Sequence, residues 1–459
     1  MHAQRLNKDL PHRESLQSCP SEQSKKIGRF IVEELHASQD SSNNHGTAPP
    51  PVALAYFRSR WGEVDGYLPV LHRFKEEHPG WRMIAIIASE RMSNTVKDQS
   101  FFYNELKQTV DTLIRLNPQP SNRTNRIFYR KWISKIASWY HRKCVRLSWR
   151  HIFSYLKNEK IELIFKDHGS DNNFLLQLQS IHPAKCVSTP HGTGIFLEQS
   201  GSSHKKTKTA QIDLFLAGDP TEIPCFQKTI PSTTGIQAVG RPRYDRWWIE
   251  HLAQLPAFRS SEEYKLAHEK KRVFLFATRG PSSLFFPKKV FEYLVNTVAE
   301  ITLREPDTLL LIKPHPQQDL QYIKSIMAQY DSNSWRISSL QTMQLAQISD
   351  FVICMVSSVI LDALAVGKPT VEFFQYVKGQ HYFLKNEKGK TVSAYGQLGM
   401  VATAERKDQL EALIENYFNG NDRSEQWEDN RQRTKEFMKL DNNASSRAIM
   451  EIDKILTPQ

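Results

Sequence analysis

Residues 349–374, SDFVICMVSSVILDALAVGKPTVEFF, decide how the chain folds. DFVICM (350–355) is an apolar β-type run, Ser357 and Ser358 open a short helical pattern, Gly367 stops it, and PTVEFF (369–374) begins a second β-type run. Serine suits a helix N-cap because its hydroxyl accepts a backbone N–H that has no partner inside the helix. Glycine suits the position after a helix because it accepts a left-handed backbone, and Pro369 just beyond cannot continue the helix. Two strands joined by a helical crossover pair in parallel, so the helix begins at the carboxyl edge of the sheet. Unpaired N–H groups, the positive end of the helix dipole and two hydroxyls at that edge suit a phosphate. The plainer alternative is that the serines only cap a packing helix.

The same alternation extends in both directions. IQAVG (236–240), RVFLFAT (272–278), TLLLIKP (308–314) and WRIS (335–338) precede the block, each separated by a plausible helix. They predict a C-terminal Rossmann-like domain over 236–403. Upstream, VALAYF (52–57), RMIAIIA (82–88), IELIFK (161–166), KCVSTP (185–190) and DLFLAG (213–218) predict an N-terminal Rossmann-like domain over 51–225. The expected fold is α/β, with two Rossmann-like domains facing a cleft and the crossing between them near 220–235. Residues 404–459 read as helices packing across both domains. Residues 1–50, rich in Ser, Gln, Asn, His and charge, read as a disordered leader.

A chain of 459 residues exceeds one ordinary core and suits two domains. Its composition, 39% hydrophobic and 10% aromatic, supplies real cores, while a mean hydropathy of −0.52 argues against an integral membrane protein. With no apolar run of roughly 20 residues and no signal-like start, a cytoplasmic location is expected. The five cysteines, Cys19, Cys144, Cys186, Cys225 and Cys354, form no C-x-x-C pair, so neither a disulfide framework nor a zinc site is indicated. The net charge of +12 favours anionic partners. Residues 112–158 lack Asp and Glu but interleave eleven Lys and Arg with aromatics at helical spacing. That pattern fits either a helix on an anionic membrane surface, which would place the chain peripherally on the inner face of the cell membrane, or an ordinary helix with solvated cations. No nucleic-acid-binding motif accompanies it, so no nucleic acid partner is expected.

Four further segments carry candidate chemistry. In LLLIKPHPQQD (309–319) two prolines flank His315 at a strand end, fixing the backbone and aiming the imidazole over the sheet edge. In VGRPRYD (239–245) and FLFATRGP (274–281), Arg241, Arg243 and Arg279 follow β-type runs, where their guanidinium forks suit phosphate oxygens. In CVSTPHGTG (186–194) a strand runs into His191 among glycines, placed to act as general base on an acceptor hydroxyl or, equally, to sit incidentally in a turn.

Taken together, the HGT turn, the G-x-P-R-x-D segment (Gly240, Pro242, Arg243, Asp245), the KPHP strand end and the SS…LDAL…GKP block resemble the CDP-glycerol glycerophosphotransferases and related capsule-polysaccharide transferases. More loosely, they are similar to GT-B transferases with an HP motif, including bacterial sialyltransferases and Kdo transferases. The resemblance covers about residues 180–380. It implies a GT-B-like fold and a transferase moving glycerol phosphate or a sugar from a nucleotide-activated donor, a cytidine nucleotide favoured, to a teichoic-acid-like or polysaccharide acceptor, lipid-linked or free. It also implies a nucleotide-donor domain over 236–403 and an acceptor domain over 51–225, functional roles for His191 and His315, and donor-phosphate contacts from Ser357 and Ser358. Arg241 and Arg279 are expected to join them in neutralising the leaving nucleotide. No D-x-D carboxylate pair stands beside these motifs, so transfer without a metal or other cofactor is expected. Two alternatives remain open: a nucleotide-sugar 2-epimerase of related fold, and a non-catalytic, membrane-associated polymer-assembly subunit.

Overall fold

The structure, a computed structural model, describes residues 23–27, 30–35, 49–58, 60–96, 100–116, 149–167, 173–190, 211–227, 230–281, 287–316, 318–355, 357–375, 384–385, 391–420 and 425–457. Among the described residues the first sheet contains nine strands: β1 (Gln23–Ile27), β2 (Phe30–Glu34), β3 (Val52–Phe57), β4 (Arg82–Ile87), β5 (Thr112–Leu116), β6 (Ile161–Asp167), β7 (Lys185–Thr189), β8 (Leu214–Ala217) and β9 (Gly235–Ala238). Their spatial order is β1-β2-β5-β4-β3-β6-β7-β8-β9. The seven strands β3 to β9 run parallel, and the β1–β2 hairpin joins the β5 edge antiparallel.

The second sheet is built from β10 (Arg272–Thr278), β11 (Thr308–Pro314), β12 (Trp335–Ile337), β13 (Phe351–Cys354), β14 (Thr370–Phe373) and a last strand, β17 (Ala402–Ala404), with a small hairpin, β15 (Leu384–Lys385) and β16 (Thr391–Val392), between them in sequence. Its order is β12-β11-β10-β13-β14-β17, all parallel. In both sheets the chain winds outward from a central strand, returns, and winds outward the other way. That doubly wound order leaves a switch point between β3 and β6 in the first sheet and between β10 and β13 in the second.

Central strands such as β10 and β11 are buried on both faces, which is why their sequences are unbroken apolar runs. One cluster is continuous between the sheets. Phe57 of β3, Phe165 of β6, Leu275 of β10 and Val352 of β13 share it with Leu71 of helix Trp61–Glu77, Trp248 of helix Arg246–Gln254 and Ile449 of helix Ala444–Leu456. Helix Trp61–Glu77 is amphipathic by spacing, since Val64, Tyr67, Leu68, Leu71 and Phe74 fall on one buried stripe. The Tyr67 hydroxyl donates to the Lys166 carbonyl at 2.6 Å and ties that stripe to β6.

Two expectations are corrected here. Residues 23–27 and 30–34, placed in the disordered leader, are strands of the first sheet. IQAVG, expected to open the C-terminal domain, contains most of β9, which pairs with β8 and closes the first sheet. The C-terminal helices touch both halves: Ala444–Leu456 packs on helix Trp61–Glu77 and on β7 and β8, whereas Lys407–Asn419 packs on β14 and β17. Cys186 and Cys354 are buried thiols outside any disulfide; Cys19 and Cys144 lie outside the described residues. Most of the basic segment 112–158 also lies outside them. Among the described residues, no helix is long and apolar enough to cross a membrane.

Candidate functional site

At the switch point of the second sheet three strand ends are zipped together. The backbone N–H of His315, after β11, donates to the Thr278 carbonyl of β10 at 3.1 Å, and that of Met355, after β13, donates to Ala277 at 3.0 Å. The N–H of Arg279 points at the Met355 sulfur, 3.4 Å away. Beyond β11 the chain turns at once, because the Gln318 N–H donates to the His315 carbonyl at 2.8 Å. The Thr278 hydroxyl then donates to Gln318 Oε1 at 2.8 Å. Gly280 lets Gln318 pack close, since a Cβ there would lie 3.0 Å from Gln318 Cγ and push it aside. Gln318 Nε2 is buried and has no hydrogen-bond partner among the described residues, leaving a donor at this edge that the sequence reading missed.

His315 and Arg279 thus occupy one edge, as expected from sequence. Burial, and then the positive charges of Arg279 and Arg91, push the His315 imidazole below the ordinary histidine range. It is therefore neutral at physiological pH and presents one N–H and one lone pair. Arg91 belongs to helix Glu90–Asn94, which follows β4 of the first sheet and is capped by the Ser89 hydroxyl. Its charge acts on His315, so this part of the first sheet's carboxyl edge lies near that of the second. No motif marks Arg91 in the sequence.

Ser357 is half-buried, and its hydroxyl accepts the Val359 N–H at 3.3 Å, so it caps helix Val359–Ala365. Ser358 is exposed and its side chain makes no capping bond, which leaves its hydroxyl facing outward from the start of that helix. His191 lies outside the described residues; β7, which leads toward it, ends at Thr189 on the carboxyl edge of the first sheet.

The G-x-P-R-x-D segment does something different from what its arginines suggested. Arg241 follows β9 of the first sheet, and its guanidinium donates to Glu222 at 2.5 Å with both side chains nearly buried. It therefore stands on the first sheet, not beside His315 and Arg279 on the second, with its charge paired to Glu222. Arg243 is clamped between Asp65 of helix Trp61–Glu77 and Asp362 of helix Val359–Ala365, 2.7 Å from each. Asp362 also accepts from the Tyr244 hydroxyl at 2.9 Å. Asp245 accepts from the Ala444 and Ser445 N–H groups at 3.0 and 2.7 Å, and from the Ser445 hydroxyl, at the start of helix Ala444–Leu456. Gly240 has φ +90°, and a Cβ there would meet Arg447 Nη2 at 2.8 Å, so only glycine lets that helix approach. The segment is the joint between the domains.

No protein-family model matches this chain, and no curated protein matches it either. Its fold is nevertheless shared with solved structures. The UDP-GlcNAc 2-epimerase from Neisseria meningitidis bound to UDP-GlcNAc is similar at TM-score 0.54 and 12% identity, over 88% of this chain and 100% of that one. A UDP-glucosyltransferase from Polygonum tinctorium is similar at TM-score 0.54 and 12% identity, over 90% and 100%. HepE from Anabaena in complex with UDP-glucose is similar at TM-score 0.50 and 12% identity, over 88% and 99%. At such identities the likeness is one of fold: the chain has the GT-B-like arrangement of two Rossmann-like domains about a cleft.

Proposed function

We propose that this chain is an enzyme of nucleotide-activated sugars or polyols, a transferase that binds the donor on the second sheet and an acceptor on the first. The reading rests on the convergence of His315 and Arg279 with Arg91 from across the cleft, at the switch point where doubly wound sheets bind ligands. Fold neighbours whose structures hold UDP-GlcNAc or UDP-glucose support it. In the proposed reaction the acceptor oxygen bonds to the transferred group while that group's bond to the nucleotide phosphate breaks. The negative charge then gathers on the departing phosphate. Arg279 and Arg91 offset this charge, the neutral His315 donates a hydrogen bond to it, and the Ser358 hydroxyl adds another. His191 takes the acceptor proton. The finer reading, from the motif resemblance, is a cytidine-nucleotide donor such as CDP-glycerol and a surface-polymer acceptor.

Calorimetric titration with CMP, CDP, UDP and GDP tests this. The expected result is selective binding of one nucleoside diphosphate or monophosphate, weakened about tenfold or more by His315→Ala, Arg91→Ala and Ser358→Ala. Cytidine selectivity supports the finer reading, and UDP or GDP selectivity replaces it with an ordinary nucleotide sugar. Absence of binding to every nucleotide overturns the proposal and favours a non-catalytic assembly subunit. A second reading, 2-epimerisation, is favoured by the Neisseria neighbour. Product analysis separates the two, because an epimerase consumes no acceptor and leaves the nucleotide attached.

A further inference from the structure

Away from the cleft edge, three side chains of metal-ligand type converge from three helices. His72 comes from helix Trp61–Glu77, Glu105 from helix Ser100–Thr109 and His251 from helix Arg246–Gln254. One ligand atom from each lies within 4.8 Å of the others. Glu105 Oε2 is 2.8 Å from His251 Nε2 and 3.8 Å from His72 Nε2, with only 4% of the glutamate side chain exposed. The contact with His251 is a hydrogen bond, whereas Nε2 of His72 is buried and has no hydrogen-bond partner among the described residues. A nitrogen aimed at a buried carboxylate yet too far to bond it is a costly arrangement unless something sits between them. The Trp248 ring lies 5.1 Å from the His251 ring and 5.3 Å from that of His72, walling both imidazoles with apolar surface.

We propose that His72, Glu105 and His251 bind one divalent transition-metal ion, with zinc the best match to the donor set. Two imidazoles and a carboxylate are a zinc combination, with bonds of about 2.0–2.2 Å and a fourth position left to water. Tetrahedral geometry at that bond length sets ligand atoms about 3.4 Å apart. The observed 2.8 and 3.8 Å bracket that spacing, so small side-chain shifts seat the ion. His251 is the most exposed of the three and provides the way in. The Ile249 and Leu252 carbonyls of the His251 helix accept hydrogen bonds from Gln347 and Gln344 of helix Thr342–Gln347, which precedes β13. The ion would therefore fasten a helix that leans on the second domain to two helices of the first. It is a clamp on the domain junction, separate from the metal-independent transfer expected in the cleft.

The test uses the full chain, freed of metal by a chelator and titrated with Co²⁺ and then Zn²⁺. One Co²⁺ per chain is expected, with the visible absorption of a low-coordinate nitrogen–oxygen site, displaced by Zn²⁺, and Zn²⁺ raises the melting temperature. His251→Ala and His72→Gln each weaken Zn²⁺ binding at least about tenfold and remove the spectrum and the thermal shift. His268→Ala, at an exposed histidine elsewhere, changes neither. A wild-type chain that shows no stoichiometric Co²⁺ spectrum, or binds Zn²⁺ no better than His251→Ala does, overturns the proposal. If His72→Gln does not fold, the wild-type spectrum and His251→Ala still decide it.

Discussion

His315 leaves β11 behind Pro314 and lies in the field of two arginines, Arg279 on its own sheet and Arg91 on the other. Its imidazole titrates below the ordinary histidine range, so between that depressed value and the ordinary one the unfolded chain holds the proton and the folded chain does not. The neutral ring's contribution to stability is complete above the ordinary range and is lost as the pH falls through the depressed value. The melting temperature of the wild type should therefore fall more steeply than that of His315→Gln as the pH drops from about 7 to about 5. In NMR titrations Arg91→Ala and Arg279→Ala should each raise the His315 pKa. A ring that titrates normally in the wild type and ignores both substitutions would mean that the arginines do not face it. His315 was legible in the sequence because two prolines mark a strand end. Arg91 was not, since it sits in a five-residue helix with no signature. A strand-end arginine reads the same whichever sheet its strand joins, so the sequence did not show that Arg241 stands on the first. The residue that pairs with it, Glu222, lies 19 positions away.

At the scale of elements, the turn from β9 into helix Arg246–Gln254 gathers the joint. Asp245 serves as an N-terminal cap for helix Ala444–Leu456 from 200 residues upstream, and it is 3% exposed. Asp245→Ala strips the helix of its charged acceptor and should cost about 3 kcal/mol in a urea titration. A loss within about 0.5 kcal/mol, the range of an ordinary surface substitution, would show that water replaces the cap. The Arg243 clamp predicts a pH effect of the opposite sense to that of His315. Burial raises Asp65 from 3.8 to about 6, against the pull of Arg243 and with the push of Asp362, so one guanidinium does not hold both carboxylates ionised at low pH. A raised carboxyl contributes stability that is complete below its unfolded value and is lost as the pH rises through the folded one. Between pH 3.8 and about 6 the wild type should therefore lose stability relative to Asp65→Asn, and parallel melting curves across that window would refute the assignment.

At the scale of the whole molecule, the centre of the second sheet was readable because β10, β11 and β13 are buried on both faces and spell continuous apolar runs. The edges of the first sheet were not. β1 is QSKKI inside a polar leader, and β9 alternates exposed and half-buried residues, so neither announces its sheet. The shared core between the sheets was also hidden, because it depends on which helix faces meet rather than on any one segment. Helix Ala444–Leu456 is the clearest case. Its Ala448, Ile449 and Ile452 are fully buried in that core, while Met450 is 59% exposed. Burying an isoleucine contributes about 1.5–3 kcal/mol, so removing residues 444–459 forfeits a large part of the roughly 5–15 kcal/mol that holds a typical domain together, before the orphaned Asp245 is counted. The truncated chain should lose cooperative unfolding in both domains. Ile449→Asp should reproduce most of that loss, and Met450→Asp, on the outer face of the same turn, should leave the melting temperature almost unchanged. If the truncated chain melts in one transition within a few degrees of the wild type, the helix is an appendage and the two sheets hold each other without it.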